Sequence, residues 1–225
     1  MPKQPIYQFY CRLQEADILT YRIIQVPKSK TLAQLGYILM TAFEMEASHL
    51  YEFVQYTPDG NQRRNGLGAR RYVADFDDDE YAPIPADKAG DYRISRIFDE
   101  YCGRVEFRYD FGDGWVVSVS LDEILFNQPL PARDYPRVIA GAGWGIVEDV
   151  GGVGGLQRLQ EAFDEHRGDE YAEYSRWLGV ADFDLHDFDL DEMNQRLKKI
   201  PPVYRKVYEA NQQPSEAMIR YIQRI

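Results

Sequence analysis

His49, Asp110, Asp113, Trp115, Glu148 and Asp149 carry the side chains of this chain best suited to chemistry. An imidazole and four carboxylates are donor types that hold divalent cations or move protons, and an indole ring beside them supplies an apolar wall. Their spacing is loose. Asp110 and Asp113 fall in the stretch YDFGDGW over residues 109–115, Glu148 and Asp149 in the Gly-rich stretch AGAGWGIVEDVGGVGG, and His49 precedes the apolar run LYEFVQY. Only the fold can gather them. They are therefore expected as groove or ligand-binding positions, with no catalytic residue, metal or cofactor assigned. The alternative is a metal-dependent hydrolase or nuclease that draws on His49, Asp110, Asp113, Glu148 and Asp149.

Other motifs carry less. Asp110-Phe111-Gly112 spells a kinase magnesium motif, but no His-Arg-Asp loop or Gly-rich phosphate loop accompanies it. GGVGG before a helix lacks the Lys-Ser or Lys-Thr of a phosphate loop, and Glu148 and Asp149 would repel phosphate. The acidic runs at 75–80 and 182–192 lack the Gly and Glu that a calcium loop requires. His166 and His186 share no ligand spacing with His49, and no serine or cysteine sits in a nucleophile elbow. Cys11 and Cys102 are too few for a disulfide scaffold or a cysteine zinc site and read as buried thiols.

The elements that must position these residues follow from pattern. With 225 residues, 44% of them apolar, the chain can bury a sizeable core. Strand alternation over 6–13 puts Tyr7, Phe9, Cys11 and Leu13 on one side, and Leu19, Tyr21 and Ile23 alternate in a second strand over 18–26. Thr31 and Gln34 form a capping box, and Leu32, Leu35, Leu39 and Phe43 recur at helical spacing after it. Gly36 is costly in that helix unless another element packs closely against it. A third strand is expected over 49–56, then a turn at 57–61 and an irregular excursion over 61–91 with one short strand at 71–74. A short helix is expected over 94–100.

The stretch RVEFRYDFGDGWVVSVSL over 104–121 reads as a hairpin with its odd-numbered residues in the core. Pairing Phe111 with Trp115, Tyr109 with Val117 and Phe107 with Val119 keeps every apolar residue on one face, and Gly112 and Gly114 supply positive backbone angles. Asp113 is a turn former at the tip, and Asp110 faces away from the core. Residues 129–155 read as a loop folding back toward this tip. Helices are expected over 156–166, 170–178, 190–200 with Asp189 as N-cap, and 215–225. Strands lead and helices trail. The prediction is a single α+β domain over 1–225, strand-rich over 6–125 and helical over 156–225, with one mainly antiparallel or mixed sheet. Its β-β-α-β opening resembles a β-grasp unit, with helices on one sheet face.

The net charge of −11 opposes general binding to phosphate backbones, with Arg63, Arg64, Arg70 and Arg71 the local exception. No apolar run nears the ~20 residues that a spanning helix needs, and no leader pattern opens the chain, so a cytoplasmic protein without membrane contact is expected. Surplus tyrosine, 17 residues against 3 tryptophans, together with acidic charge, favours a protein partner of unspecified identity and oligomeric state.

YDFGDGW at 109–115, YPRVIAGAGWGIVEDVGG at 135–152 and HLYEF at 49–53, in that combination, resemble the plasmid pRiA4b ORF-3-like family. The stretch YRIIQVPKSKTLAQLGYILMTAFEM and the later FDLDEMNQRLKKI are similar to the family's N-terminal and C-terminal segments. The likeness runs over residues 6–200. It implies a small α+β protein of a family also labelled a TnpR-like passenger of mobile elements, with no established biochemical role. The chain departs from that pattern at Val117, where the family commonly has His, and at Val150, where it commonly has Cys. The leading functional expectation is accordingly a non-enzymatic binding or adaptor module, associated through its family with plasmids or mobile elements.

Overall fold

A computed structural model describes residues 4–56, 69–74, 86–98, 103–128 and 130–224. Eight strands form one sheet: β1 (Ile6–Leu13), β2 (Tyr21–Pro27), β3 (Tyr51–Tyr56), β4 (Ala69–Val73), β5 (Asp87–Lys88), β6 (Arg104–Tyr109), β7 (Trp115–Leu125) and β8 (Arg137–Ala142). Their order is β5-β4-β3-β6-β7-β1-β2-β8. Every pair is antiparallel except β4 with β5, so the sheet is mixed. Helix α1 (Leu32–Ala42) follows β2, and α2 (Gly152–Glu165), α3 (Gly168–Leu178), α4 (Leu190–Lys199), α5 (Pro201–Ala210) and α6 (Glu216–Gln223) complete an α+β fold. No helix among the described residues is long and apolar enough to cross a membrane.

Helix α1 begins at the expected capping box, where Gln34 N–H donates to Thr31 Oγ1 and Thr31 N–H donates to Gln34 Oε1. All its residues but Gln34 are buried, because the sheet covers one side and α4 and α5 the other. Gly36 is the contact point with the sheet. A Cβ there would stand 3.3 Å from the Tyr51 ring and 3.4 Å from Phe53 and Phe107, the close approach that offsets its low helix propensity. Under α1 the inner sheet face carries Phe9, Cys11, Ile24, Val26, Tyr51, Phe53, Phe107, Tyr109, Trp115 and Val117, all buried.

Several sequence expectations need correction. In β2 the inward residues are Arg22, Ile24 and Val26, whereas Leu19 is exposed and Tyr21 and Ile23 are only half-buried. Alternation of apolar residues misled because the inward set includes an arginine. The 104–121 hairpin keeps its odd face in the core, but Tyr109 pairs with Trp115, Phe107 with Val117 and Val105 with Val119. The loop therefore holds five residues, and Phe111 is expelled into solvent. Of the two loop glycines only Gly114 has a positive φ; the other left-handed residue is Asp110.

Residues 137–142 of the expected loop form strand β8, which pairs with β2 at the sheet edge. Helix α5 has no counterpart among the expected helices; Pro201 and Pro202 occupy its first turn, where a missing N–H costs nothing. Chain order at the start is β-β-α-β, with β1 and β2 paired as an antiparallel hairpin and β6 and β7 lying in the sheet between β1 and β3. The expected 94–100 helix is a 3₁₀ turn at Ile94–Arg96. The 57–61 turn, Arg63, Arg64, the 75–80 acidic run and Cys102 lie outside the described residues.

Candidate functional site

Three connections converge at one end of the sheet. The α1–β3 connection carries His49, the β6–β7 loop carries Asp110 and Asp113, and the segment between β8 and α2 carries Glu148 and Asp149. The first connection is clamped from α5, where Tyr204 Oη donates to Met45 O and Tyr208 Oη donates to His49 O, both at 2.5 Å. The third is tied to the first, with Ile146 N–H donating to Phe43 O at 2.9 Å.

Arg22 secures the base of that third segment. Its buried guanidinium donates to the carbonyls of Ala42, Tyr21, Ala142, Gly143 and Trp144 at 2.7–2.9 Å. It lies against the Phe188 ring at 4.1 Å and the Phe43 ring at 5.4 Å. Burial pushes its pKa down to about 10, which leaves it charged at neutral pH.

The β6–β7 loop is shaped by Asp110 itself. Its N–H donates to Leu50 O at 3.1 Å, its carbonyl accepts from Gly114 N–H at 2.7 Å, and its Oδ1 accepts from Gly112 N–H at 2.9 Å. Asp110 at φ 51° and Asp149 at φ 58° both hold the left-handed conformation that non-glycine residues seldom adopt. Strain of this kind recurs at functional sites. At the loop tip Gly151 N–H donates to Asp113 Oδ2 at 3.2 Å. A Cβ on Gly152 would stand 2.6 Å from Asp113 O, so the expected fold-back is a backbone-to-backbone contact.

These restraints surround His49 Nε2 with three carboxylates: Glu148 Oε2 at 3.3 Å, Asp110 Oδ2 at 3.6 Å and Asp149 Oδ1 at 3.6 Å. One donor atom from each of His49, Asp110 and Glu148 lies within 4.8 Å of the others. All three distances to Nε2 exceed ordinary hydrogen-bond lengths. They match the donor–donor edges of about 3.3–3.6 Å set by a tetrahedral ion with bonds of 2.0–2.2 Å. The donor set, one imidazole nitrogen with carboxylate oxygens, is one that divalent transition metals accept.

Glu148 is the best-supported carboxylate. Its Oε1 accepts from Tyr109 Oη and Glu46 N–H, each at 2.7 Å, and Ser48 Oγ approaches Oε2 at 3.3 Å. Ser48 N–H donates in turn to Tyr109 Oη at 3.1 Å. Burial raises the Glu148 pKa, opposed by these hydrogen bonds and by His49. Burial and the neighbouring carboxylate push the Tyr109 phenol up, so it stays a donor. Asp149 is mostly exposed, and the cluster opens on its side into a cleft of about 590 Å³ with Trp144, Trp177 and Phe183 in its walls.

Four of the six expected residues thus meet: His49, Asp110, Glu148 and Asp149. Asp113 adjoins them through Gly151, while Trp115 is fully buried beneath, paired with Tyr109 across the strands. Its indole N–H has no hydrogen-bond partner among the described residues. Sequence reasoning missed Tyr109, Ser48 and Glu46 as supports and Arg22 as an anchor. The alternation of the hairpin places Tyr109 in the core, and its position directly before Asp110 is the one signal of a role at the site. Val117 is buried in the sheet core, and the cluster forms without a histidine there. Arg70 and Arg71, the described half of the expected basic patch, pair with Asp87 at 2.7 Å and Glu52 at 2.5 Å.

Comparisons with known proteins agree with this architecture and assign no activity. The family model described as plasmid pRiA4b ORF-3-like protein matches residues 5–192. The uncharacterized protein y4hQ of Sinorhizobium fredii is 27% identical over 183 residues, covering 81% of this chain and 86% of its own length. The crystal structure of MM3350, a protein of unknown function from Methanosarcina mazei Go1, superimposes with a TM-score of 0.71 at 27% identity. That likeness covers 84% of this chain and 97% of the archaeal one. With 188 consecutive residues inside the family model, the chain belongs to the plasmid pRiA4b ORF-3-like family.

Proposed function

We propose that His49, Asp110, Glu148 and Asp149 bind a divalent transition-metal ion, and that the protein acts as a metal-dependent binding module. The observation that carries this reading is the arrangement around His49 Nε2, with carboxylate oxygens from two other segments at 3.3–3.6 Å. A cluster of one imidazole and three carboxylates carries excess negative charge, and a divalent ion offsets it more fully than a single imidazolium. The polar atoms that orient Glu148 are the outer support that metal-binding carboxylates need. Elemental analysis of purified protein tests it. One equivalent of metal, lost in the double variant Asp110→Asn/Glu148→Gln, is the expected result.

A second reading, a metal-dependent hydrolase, is favoured by the exposure of Asp149 and the adjoining cleft. A bound ion would supply Lewis acidity and an activated water there. Asp149 would receive the proton of that water, and Trp144 and Phe183 would exclude solvent. Metal-dependent cleavage of bis(p-nitrophenyl) phosphate, lost in Asp149→Asn, would select this reading over the binding module.

The wider reading keeps the chain as one domain that works in the cytoplasm with a protein partner. A single sheet joining β1 to β8, with one core cluster running from Tyr7 to Ile222, supports the undivided domain.

A further inference from the structure

A second cavity, of about 490 Å³, lies between the start of α1, the segment leading into β8 and the α4–α5 junction. It shares no lining residue with the His49 cluster or its cleft. On a chain of net charge −11 its lining is wholly of the opposite sign: Lys30, Arg133, Lys198 and Arg205, with no carboxylate. Arg205 is engaged by Glu209 at 2.8 Å. Lys30, Arg133 and Lys198 have no ion-pair partner among the described residues.

Chance does not readily place three unpaired cations from three separate elements around one hollow of an acidic protein. Three like charges around one hollow give it a positive local potential that favours an anion. The second observation is independent of charge. Tyr135, 8% exposed, lines the cavity with a buried hydroxyl that has no hydrogen-bond partner among the described residues. A buried hydroxyl is ordinarily satisfied, so this donor has its acceptor outside the described residues, in a water or a ligand. Ile38, Leu197 and the prolines at 136, 201 and 202 form an apolar part of the wall, and Gln34 and Tyr37 complete it. The volume lies within the range of small-molecule sites.

We infer that this cavity binds a small phosphorylated molecule with a flat apolar body, its phosphates held by Lys30, Arg133 and Lys198 and the Tyr135 hydroxyl. Three cations exceed what a monocarboxylate needs and suit a phosphate or diphosphate group. The apolar wall would take the uncharged part of the ligand.

The test is isothermal titration of the full chain with adenosine 5′-diphosphate, inorganic pyrophosphate and adenosine, in excess EDTA so that no metal at His49 holds phosphate. The expected order is the diphosphate ester tighter than pyrophosphate, and adenosine without measurable binding. Arg133→Gln/Lys198→Gln is expected to weaken the ester about tenfold or more, and Tyr135→Phe by a smaller factor, with unchanged circular dichroism in both. The two cations are exposed and unpaired, so the double variant has no reason to misfold. Absence of ester and pyrophosphate binding at millimolar concentration, or equal ester affinity in the double variant, would overturn the inference.

Discussion

The Tyr109 hydroxyl donates a 2.7 Å hydrogen bond to Glu148 Oε1, joining the last residue of β6 to a segment 39 residues further along the chain. This bond couples the hairpin to the cluster. Tyr109 stands on the core face, while Asp110, the next residue, turns in the left-handed conformation toward His49.

Replacing Tyr109 by Phe keeps the ring and removes only the donor. A buried, charge-assisted hydrogen bond is worth about 1.5–3 kcal/mol. Urea denaturation should show a loss of that size, and titration with Zn²⁺ or Mn²⁺ should show weaker binding, because Glu148 loses one of the bonds that favour its charged form.

Acid should act on the cluster in two opposite ways. The Glu148 pKa is raised in the folded protein, chiefly by burial. Just above the ordinary carboxylate range the folded state therefore holds a proton that the unfolded state has released. By linkage, this group makes the metal-free protein less stable as pH rises through that window. Metal affinity should change in the other direction, rising with pH as the carboxylate is freed. Parallel titrations in EDTA and in excess metal, run from the ordinary carboxylate range up to neutral pH, would show the two slopes.

Arg22→Met should be severe. It leaves five carbonyls without their donor and opens the junction of β2, β8 and α1. Loss of a buried cation with this many partners costs about 3–5 kcal/mol, read as a shift in the denaturation midpoint.

Gly155→Ala, at the start of α2, would ordinarily stabilise a helix. Here a Cβ would lie 1.9 Å from Val150 O. The expected outcome is destabilisation, with weaker metal binding because Glu148 and Asp149 lie immediately before this contact. Gly154→Ala, where the nearest atom is the Arg158 side chain at 3.7 Å, serves as the control and should be neutral or stabilising.

Much of the fold was legible in the residues that carry strict patterns. The Thr31–Gln34 capping box, the Asp189 cap on α4, the odd-numbered core face of the hairpin and the close approach at Gly36 follow from local rules. What escaped has one physical cause: a polar or irregular residue satisfied by tertiary contact. Arg22 hid the inward face of β2, the paired prolines hid α5, and glycines at 141 and 143 made β8 read as loop. The site was legible as a set of residue types, but its geometry was not, because His49 and Glu148 lie on connections whose courses are set by Tyr204, Tyr208 and Arg22, and Asp110 on a loop tied to Leu50. Local pattern assigns Asp110 no partner, because its neighbour in space, His49, is 61 residues away.

Inductively coupled plasma mass spectrometry of the full chain, after dialysis against Zn²⁺ or Mn²⁺ and removal of free metal, tests the His49 cluster most directly. One equivalent is expected in the natural chain, with loss of most of it in His49→Ala and in Asp110→Asn/Glu148→Gln, while both variants keep the native circular dichroism. Metal below a tenth of an equivalent in the natural chain, or full retention in both variants, would contradict a metal site at His49.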